Sequence, residues 1–227
     1  MRRSVRILGT VLICAGVLVL AWTITVWRWQ DPFTALYTHY EQAKLAKSLQ
    51  RQFASYRRAR SARRTLAAEQ DAIAVAAARY RHDARVGQAI GRIIVPRMGL
   101  NLVLVNGTDH DTLKKGPGRY LGSAMPGERR LVYIAGHRTT YLAPFSHIDR
   151  MRKGDAITIE MPYATFHYAV TGHRIVPDDL AVLKSPRHEL LELQACHPRF
   201  FASHRYVVYA LPVRVPVTNQ SRTSFAR

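Results

Sequence analysis

Acidic side chains are scarce in this chain, with 15 Asp and Glu against 34 Lys and Arg, a formal net charge of +19. An excess of that size first suggests a nucleic acid or an anionic surface as partner. Its distribution argues against nucleic acid, because the excess is +4 over residues 1–30, +6 over 31–89 and +9 over 90–227, with no concentrated stripe. A bilayer or an acidic cell-wall polymer fits an even spread better, as does an ordinary solvated surface. Cysteine is scarcer still. Cys14 and Cys196 are the only two, and Cys14 lies in an apolar run, which excludes a disulfide with a separate folded domain. Cys196 is then a lone thiol, either a small buried hydrophobe or a reactive group kept despite exposure to oxidation. Glycine and proline are missing from residues 33–86, so nothing there breaks a helix.

Charge is also missing from Ile7 to Trp27, which reads ILGTVLICAGVLVLAWTITVW. About 20 apolar residues cross about 30 Å of hydrocarbon as a helix. Trp22, Trp27 and Trp29 gather towards one end, where aromatic rings favour the interface. Arg2, Arg3 and Arg6 precede the run and only Arg28 follows closely, which puts the N-terminus in the cytoplasm and the rest outside. A cleaved signal peptide would have a shorter apolar region, about 7–15 residues, and a small-x-small site. The run leads instead into WRWQDPF, so an uncleaved signal anchor over residues 1–30 is expected.

Residues 31–89 form a spacer. Asp31-Pro32 suits a helix start, with Asp as N-cap and Pro in the first turn. The stretch beyond Pro32 is rich in Ala, Arg, Gln and Leu, all good helix formers. Leu45, Leu49, Phe53 and Tyr56 make a narrow apolar stripe. Such a segment is a stalk, a helix docked on the domain behind it, or a linker. The basic run 57–64 could lie against anionic headgroups, at about 1 kcal/mol for each side chain near the surface.

From residue 90 to 217 the character changes, and residues 218–227 form a tail. IIVPRMGL, NLVLVNG, RLVYIAG, DAITIEM, TFHYAVTGHRIV, ELLELQAC and RYVVYALPVRV are short β-branched or aromatic runs separated by turn residues. Seven or eight strands in one small domain predict an all-β barrel or sandwich, with one short helix near 109–116.

Cys196 ends one of those runs, where a nucleophile is both held and exposed. A thiol is only a few per cent thiolate at pH 7 and needs a base or cation beside it. His137 also follows a strand end, which could put it on the same rim. His197 adjoins Cys196 and would face the opposite way on an extended chain. His110, His147, His167, His173, His188 and His204 carry no comparable placement. A cation is wanted for the oxyanion formed on thiolate attack. Arg205 opens the run RYVVYALPV, which would pair as a hairpin with the Cys196 strand and return Arg205 to its level; Arg199, inside the connecting loop, is the competitor.

The segments AGHRTTYLAPFSHIDRMRKGD (135–155) and LELQACHPRFFASHRYVVYA (191–210) resemble the His and Cys/Arg motifs of sortases, most of all the class E type of high-GC Gram-positive bacteria. GPGRYLGSAMPGE (116–128) resembles the stretch ahead of the family's His strand. The resemblance spans residues 91–213. It implies a closed eight-stranded barrel with short helices, and Cys196, His137 and Arg205 as the catalytic set. It also implies Tyr141, Thr139, Thr140 and Ala195 beside the substrate, and no metal or organic cofactor. The expected activity is cleavage of an LAxTG- or LPxTG-like sorting signal between Thr and Gly. The acyl group then passes to an amine of a lipid-linked cell-wall precursor or to a pilin lysine. The implied partners are exported proteins bearing that signal and the membrane, with no nucleic acid. Three positions depart from the family: Ala195 where Thr is usual, Arg119 where His is usual, and Leu142 where Gly is usual. The Arg119 exchange is expected to touch the groove and no catalytic group. Tyr141 favours LAxTG.

Two other readings use some of these features. An L,D-transpeptidase also pairs Cys with His, but in a compact HG…SxGC pattern that this chain lacks. A tethered barrel that binds wall polymer through its basic surface would leave Cys196 idle.

Overall fold

The computed structural model describes residues 2–29, 32–58, 66–178 and 186–213. Three helices come first: α1 (Arg2–Trp29), α2 (Pro32–Arg58) and α3 (Leu66–Asp83). Eight strands follow: β1 (Ala89–Val95), β2 (Leu100–Asn106), β3 (Gly118–Arg119), β4 (Leu131–Ala135), β5 (Ala156–Glu160), β6 (Thr165–Pro177), β7 (Leu190–His197) and β8 (His204–Pro212). The short helix expected near 109–116 is α4 (His110–Leu113), capped by the Asp109 carboxylate, which accepts from the Thr112 N–H. The strands close a barrel in the order β1-β2-β3-β4-β7-β8-β6-β5. Closure removes every unpaired sheet edge, which a small sheet would otherwise expose.

Alternation along each strand fills the barrel. Ile90, Ile93 and Val95 of β1, Val132 and Ile134 of β4, Leu191, Leu193 and Ala195 of β7, and Tyr206, Val208 and Ala210 of β8 share one core. Two pairs are parallel, β2 with β3 and β4 with β7, and the rest are antiparallel.

α2 and α3 are docked on this barrel. One stripe of α2 carries Thr38, Gln42, Leu45 and Leu49 at helical spacing; Leu45 and Leu49 pack on Ala89, Val103 and Val105. Gln42 behaves like a short piece of strand. Its Nε2 donates to the carbonyls of Val103 (3.0 Å) and Lys115 (2.7 Å), and its Oε1 accepts from the Val103 N–H (2.7 Å). Gly116, at φ 153°, leaves room for that amide where any Cβ would collide with it. α3 sets Ile73, Ala77 and Tyr80 against the barrel core, with Tyr80 and Tyr163 edge to face. The stripe read from apolar residues alone thus continues through two polar ones.

α1 holds a 21-residue apolar stretch, Val5–Thr25, with no part of it buried in the protein, long enough by length and composition to cross a membrane. The Asp31 cap, the side chains of Trp27 and Trp29, most of the basic run 57–64 and the tail 218–227 lie outside the described residues.

Replacing Gln42 by Ala leaves one buried N–H and two carbonyls without their partner. The expected loss of stability is about 1–3 kcal/mol, read from the urea midpoint. Faster amide exchange at Val103 should accompany it.

Candidate active site

β4 and β7 run parallel, so both end at the same rim of the barrel, with Ala135 opposite Gln194. One further hydrogen bond, Gly136 N–H to the Gln194 carbonyl at 3.1 Å, extends the ladder past the strand. His137 and Cys196 each lie two residues beyond the Ala135–Gln194 pair, one step past Gly136 and Ala195. β8 returns antiparallel on the far side of β7, where Arg205 pairs with Cys196. Neighbouring strands lie about 4.8 Å apart. Cys196 and Arg205 therefore stand side by side on β7 and β8, and His137, two residues past the end of β4, comes to the same rim. The core side of these strands is taken by Ile134, Ala195 and Tyr206, so Cys196 and Arg205 lie on the other face.

The surroundings of each group differ. His137 is half-buried, and desolvation, with a smaller contribution from His110, holds its imidazole below the usual value. Its Nε2 has no hydrogen-bond partner among the described residues, and the Tyr141 ring lies against it at a centroid distance of 5.1 Å. Arg205 is held by the Ala202 and His204 carbonyls at 2.8 and 3.1 Å and by the Asp178 carboxylate. Arg199 turns the other way and donates to the Ser146 carbonyl at 3.0 Å.

Tyr141, Leu142 and Ala143 all have left-handed backbones, with φ of 53°, 62° and 38°. Gly, which the family resemblance leads one to expect at the Leu142 position, is the residue such a turn favours. Without it, the turn is held from outside: the Tyr141 N–H donates to Thr34 Oγ1 of α2 at 3.1 Å, and Tyr37 meets the Tyr141 ring edge-on. Thr139 and Thr140 are half-buried at the start of this loop, and the Thr140 carbonyl accepts from the Ala143 N–H at 2.8 Å.

Two expectations are corrected. Ala195 does not line the site; alternation turns its side chain into the barrel core, 3 % exposed. The family's Thr at that position would likewise point inward. Arg119 does not alter a groove. It is fully buried, bound by Asn106 Oδ1 at 2.8 and 3.0 Å and by the Tyr120 and Ser123 carbonyls, and burial lowers its pKa to about 10. It is an internal brace.

Two residues escaped the sequence reading. Arg138, 5 % exposed, donates to the Cys196 carbonyl (3.2 Å) and to His197 Nδ1 (3.1 Å) and pairs with Asp149 (3.2 Å). It ties the end of β4 to the end of β7. Glu192, 6 % exposed, stands on the Cys196 face of β7 between Tyr133 of β4 and Tyr209 of β8. Burial alone pushes its carboxyl up to about 7. Among the described residues, no group of three or more His, Cys, Asp or Glu side chains is gathered to hold a metal ion.

The Glu192 carboxyl is protonated more readily folded than unfolded, so it lowers stability as pH rises through the window from its ordinary value to about 7. Glu192→Gln should therefore gain up to about 3 kcal/mol over wild type at pH 8, relative to the difference at pH 5. Urea unfolding at the two pH values checks it.

Residues 93–213 match the sortase domain family. Sortase D of Bacillus subtilis is 34% identical over 128 residues, covering 54% of this chain and 63% of that protein. The chain thus spans about three fifths of the length of the curated relatives it matches. Among solved structures, a sortase D5 transpeptidase from Clostridium perfringens shares the fold at a TM-score of 0.60 and 22% identity, over 77% of this chain and 99% of the other. Sortase E from Streptomyces avermitilis aligns at a TM-score of 0.53 and 29% identity, over 60% and 95%. A family match over more than half of the chain, on a barrel whose rim gathers Cys196, His137 and Arg205, leaves one conclusion: the chain belongs to the sortase family.

Proposed function

We propose that the protein is a membrane-anchored cysteine transpeptidase that cleaves a sorting signal between Thr and Gly and joins the Thr to an amine. The observation that carries this reading is the register of three strands: β4 and β7 in parallel and β7 and β8 antiparallel align His137, Cys196 and Arg205 on one rim. His137 takes the thiol proton, and the Cys196 thiolate attacks the Thr carbonyl carbon, turning the carbonyl oxygen into an oxyanion. Arg205, anchored by two carbonyls and a carboxylate, offers its guanidinium to that oxyanion. The intermediate collapses with cleavage of the C–N bond, and the imidazolium returns its proton to the departing Gly amine. A thioester remains. The incoming amine attacks it, gives up a proton through His137 and expels the Cys196 sulfur, which recovers the proton. Burial of the His137 imidazole disfavours the charged form that takes part in this transfer.

Tyr141, packed on His137, supports a preference for the LAxTG signal over LPxTG. Thr139 and Thr140, at the start of the same loop, are assigned to the substrate side of the site. The apolar stretch of α1, with Arg3 and Arg6 at its N-terminal end, supports a single-pass anchor with the N-terminus inside and the barrel outside. The acceptor is a cell-wall precursor amine or a pilin lysine. Class E membership rests on the His and Cys/Arg motifs.

LAxTG and LPxTG peptides incubated with the protein and an amine, with products read by mass, test the reading directly. Transfer product should form with wild type and vanish with Cys196→Ala. His137→Ala should cost about a thousandfold in kcat/KM and Arg205→Ala about a hundredfold, while His197→Ala keeps most activity. An active His137→Ala beside an inactive His197→Ala would sink the assignment of the base.

A further inference from the structure

The face of the barrel that carries Cys196 continues down β7. Below the level of Cys196 and Arg205 lie Ala135, Gln194 and Val207, opposite one another on β4, β7 and β8. Below these lie Tyr133, Glu192 and Tyr209. Glu192 is four residues before the nucleophile, about 13 Å along an extended strand. Of the acidic residues described, Glu192 is the one that is buried. The chain has more than two basic residues for each acidic one, and its other enclosed carboxylates are satisfied. Glu128 is paired with Arg81, and Glu189 accepts from the Gly127 and Arg129 amides and from Tyr168. Glu192 has no hydrogen bond and no ion pair with any described residue; its raised pKa has desolvation as its single cause. A desolvated carboxyl without a partner weakens the fold, and its place in line with Cys196 gives it something to bind.

The donor peptide sets what that is. If, on the transpeptidase reading, the leaving and incoming amines exchange beyond the end of β7, the chain upstream of the scissile bond runs the other way, along β7 towards Glu192. With Thr at Cys196, an extended peptide brings the residue four before the Thr to the level of Glu192.

We infer that Glu192 is a specificity-determining residue of the transpeptidase, receiving a cationic Lys or Arg side chain carried by the donor peptide immediately before the Leu of its sorting signal. This rests on the reading of the protein as a transpeptidase. The carboxylate accepts a charge-assisted hydrogen bond from the bound cation, flanked by the Tyr133 and Tyr209 hydroxyls. The cation and the carboxylate neutralise each other in a place where neither is stable alone.

Full-length protein in detergent micelles, given LAETG peptides preceded by Lys, Leu or Glu, tests this through ratios of kcat/KM. At pH 8 the Lys peptide should exceed the Leu peptide about tenfold, with the Glu peptide slowest. At pH 5.5, with Glu192 protonated, the Lys preference should fall below about threefold. Glu192→Gln should remove the preference at both pH values. The groups facing Glu192 are the phenols of Tyr133 and Tyr209, both raised by burial and so neutral throughout. Arg174 lies near Tyr209, and Arg205, Asp178 and Cys196 lie near Tyr133. Ionisation of the catalytic groups alters the rates of all three peptides alike and cancels in the ratio. A flat panel in wild type at pH 8, or a Lys preference that survives in Glu192→Gln, overturns the inference. If Glu192→Gln does not fold, the wild-type pH dependence decides alone. If no peptide is cleaved by a Cys196-dependent route, the transpeptidase reading falls and Glu192 with it; cleavage without preference removes only Glu192.

Discussion

In a parallel ladder both strands finish at the same end, and the pairing of β4 with β7 is where the rest of this molecule takes its meaning. Leu131 to Ala135 lie against Leu190 to Gln194 residue for residue. That register carries the two chain segments just beyond it to one rim. Parallel neighbours need a long crossover, and here it contains β5, β6 and the loop with Tyr141. The crossover therefore builds part of the site that the pairing defines. β8 then adds Arg205 by a simple hairpin. A slip of one residue in the β4–β7 register would turn Cys196 towards the core and Ala195 towards the substrate face.

Reinforcement of that junction falls to a cation that does no chemistry in the proposed cycle. Arg138 reaches from the residue after His137 to the backbone of Cys196 and to the ring of His197. Its charge is answered by Asp149. His137 and Cys196 are thus locked together through their immediate chain neighbours, and the His137 Nε2 is left without a partner among the described residues that would compete with substrate. His197, the histidine nearest to Cys196 in sequence, is occupied by this strut.

Much of this was legible beforehand, for local reasons. Short β-branched runs marked the strands, the hairpin placed Arg205 against Cys196, and two strand ends pointed to His137. What escaped has physical causes too. Arginine is normally solvated, so nothing in the string GHRTT marks Arg138 as buried. Glu192 could have been found: in ELLELQAC it has the same parity as Cys196, and alternation alone puts both on one face. The same rule excludes Ala195 from the substrate side. α2 read as an apolar stripe because Thr38 and Gln42 look like exposed residues. Their backbone partners lie in β2 and beside Gly116, which no local pattern reveals. Arg119 looked like a groove residue, and only the barrel around it shows that its charge is spent on Asn106 and two carbonyls.

The Tyr141 loop has a consequence in time. Its left-handed residues are held by Thr34, 107 positions earlier in the chain. That span is longer than any strand pairing of the barrel, the widest of which joins Arg92 to Glu160. Contacts of such sequence separation form late, because the entropy of closing the intervening loop is lost before the contact gives anything back. A newly made chain would complete its barrel first and seat the start of α2 afterwards. Competence at the His137 rim then arrives as the closing step of folding, and a chain still in progress carries its thiol without the loop that puts it to use.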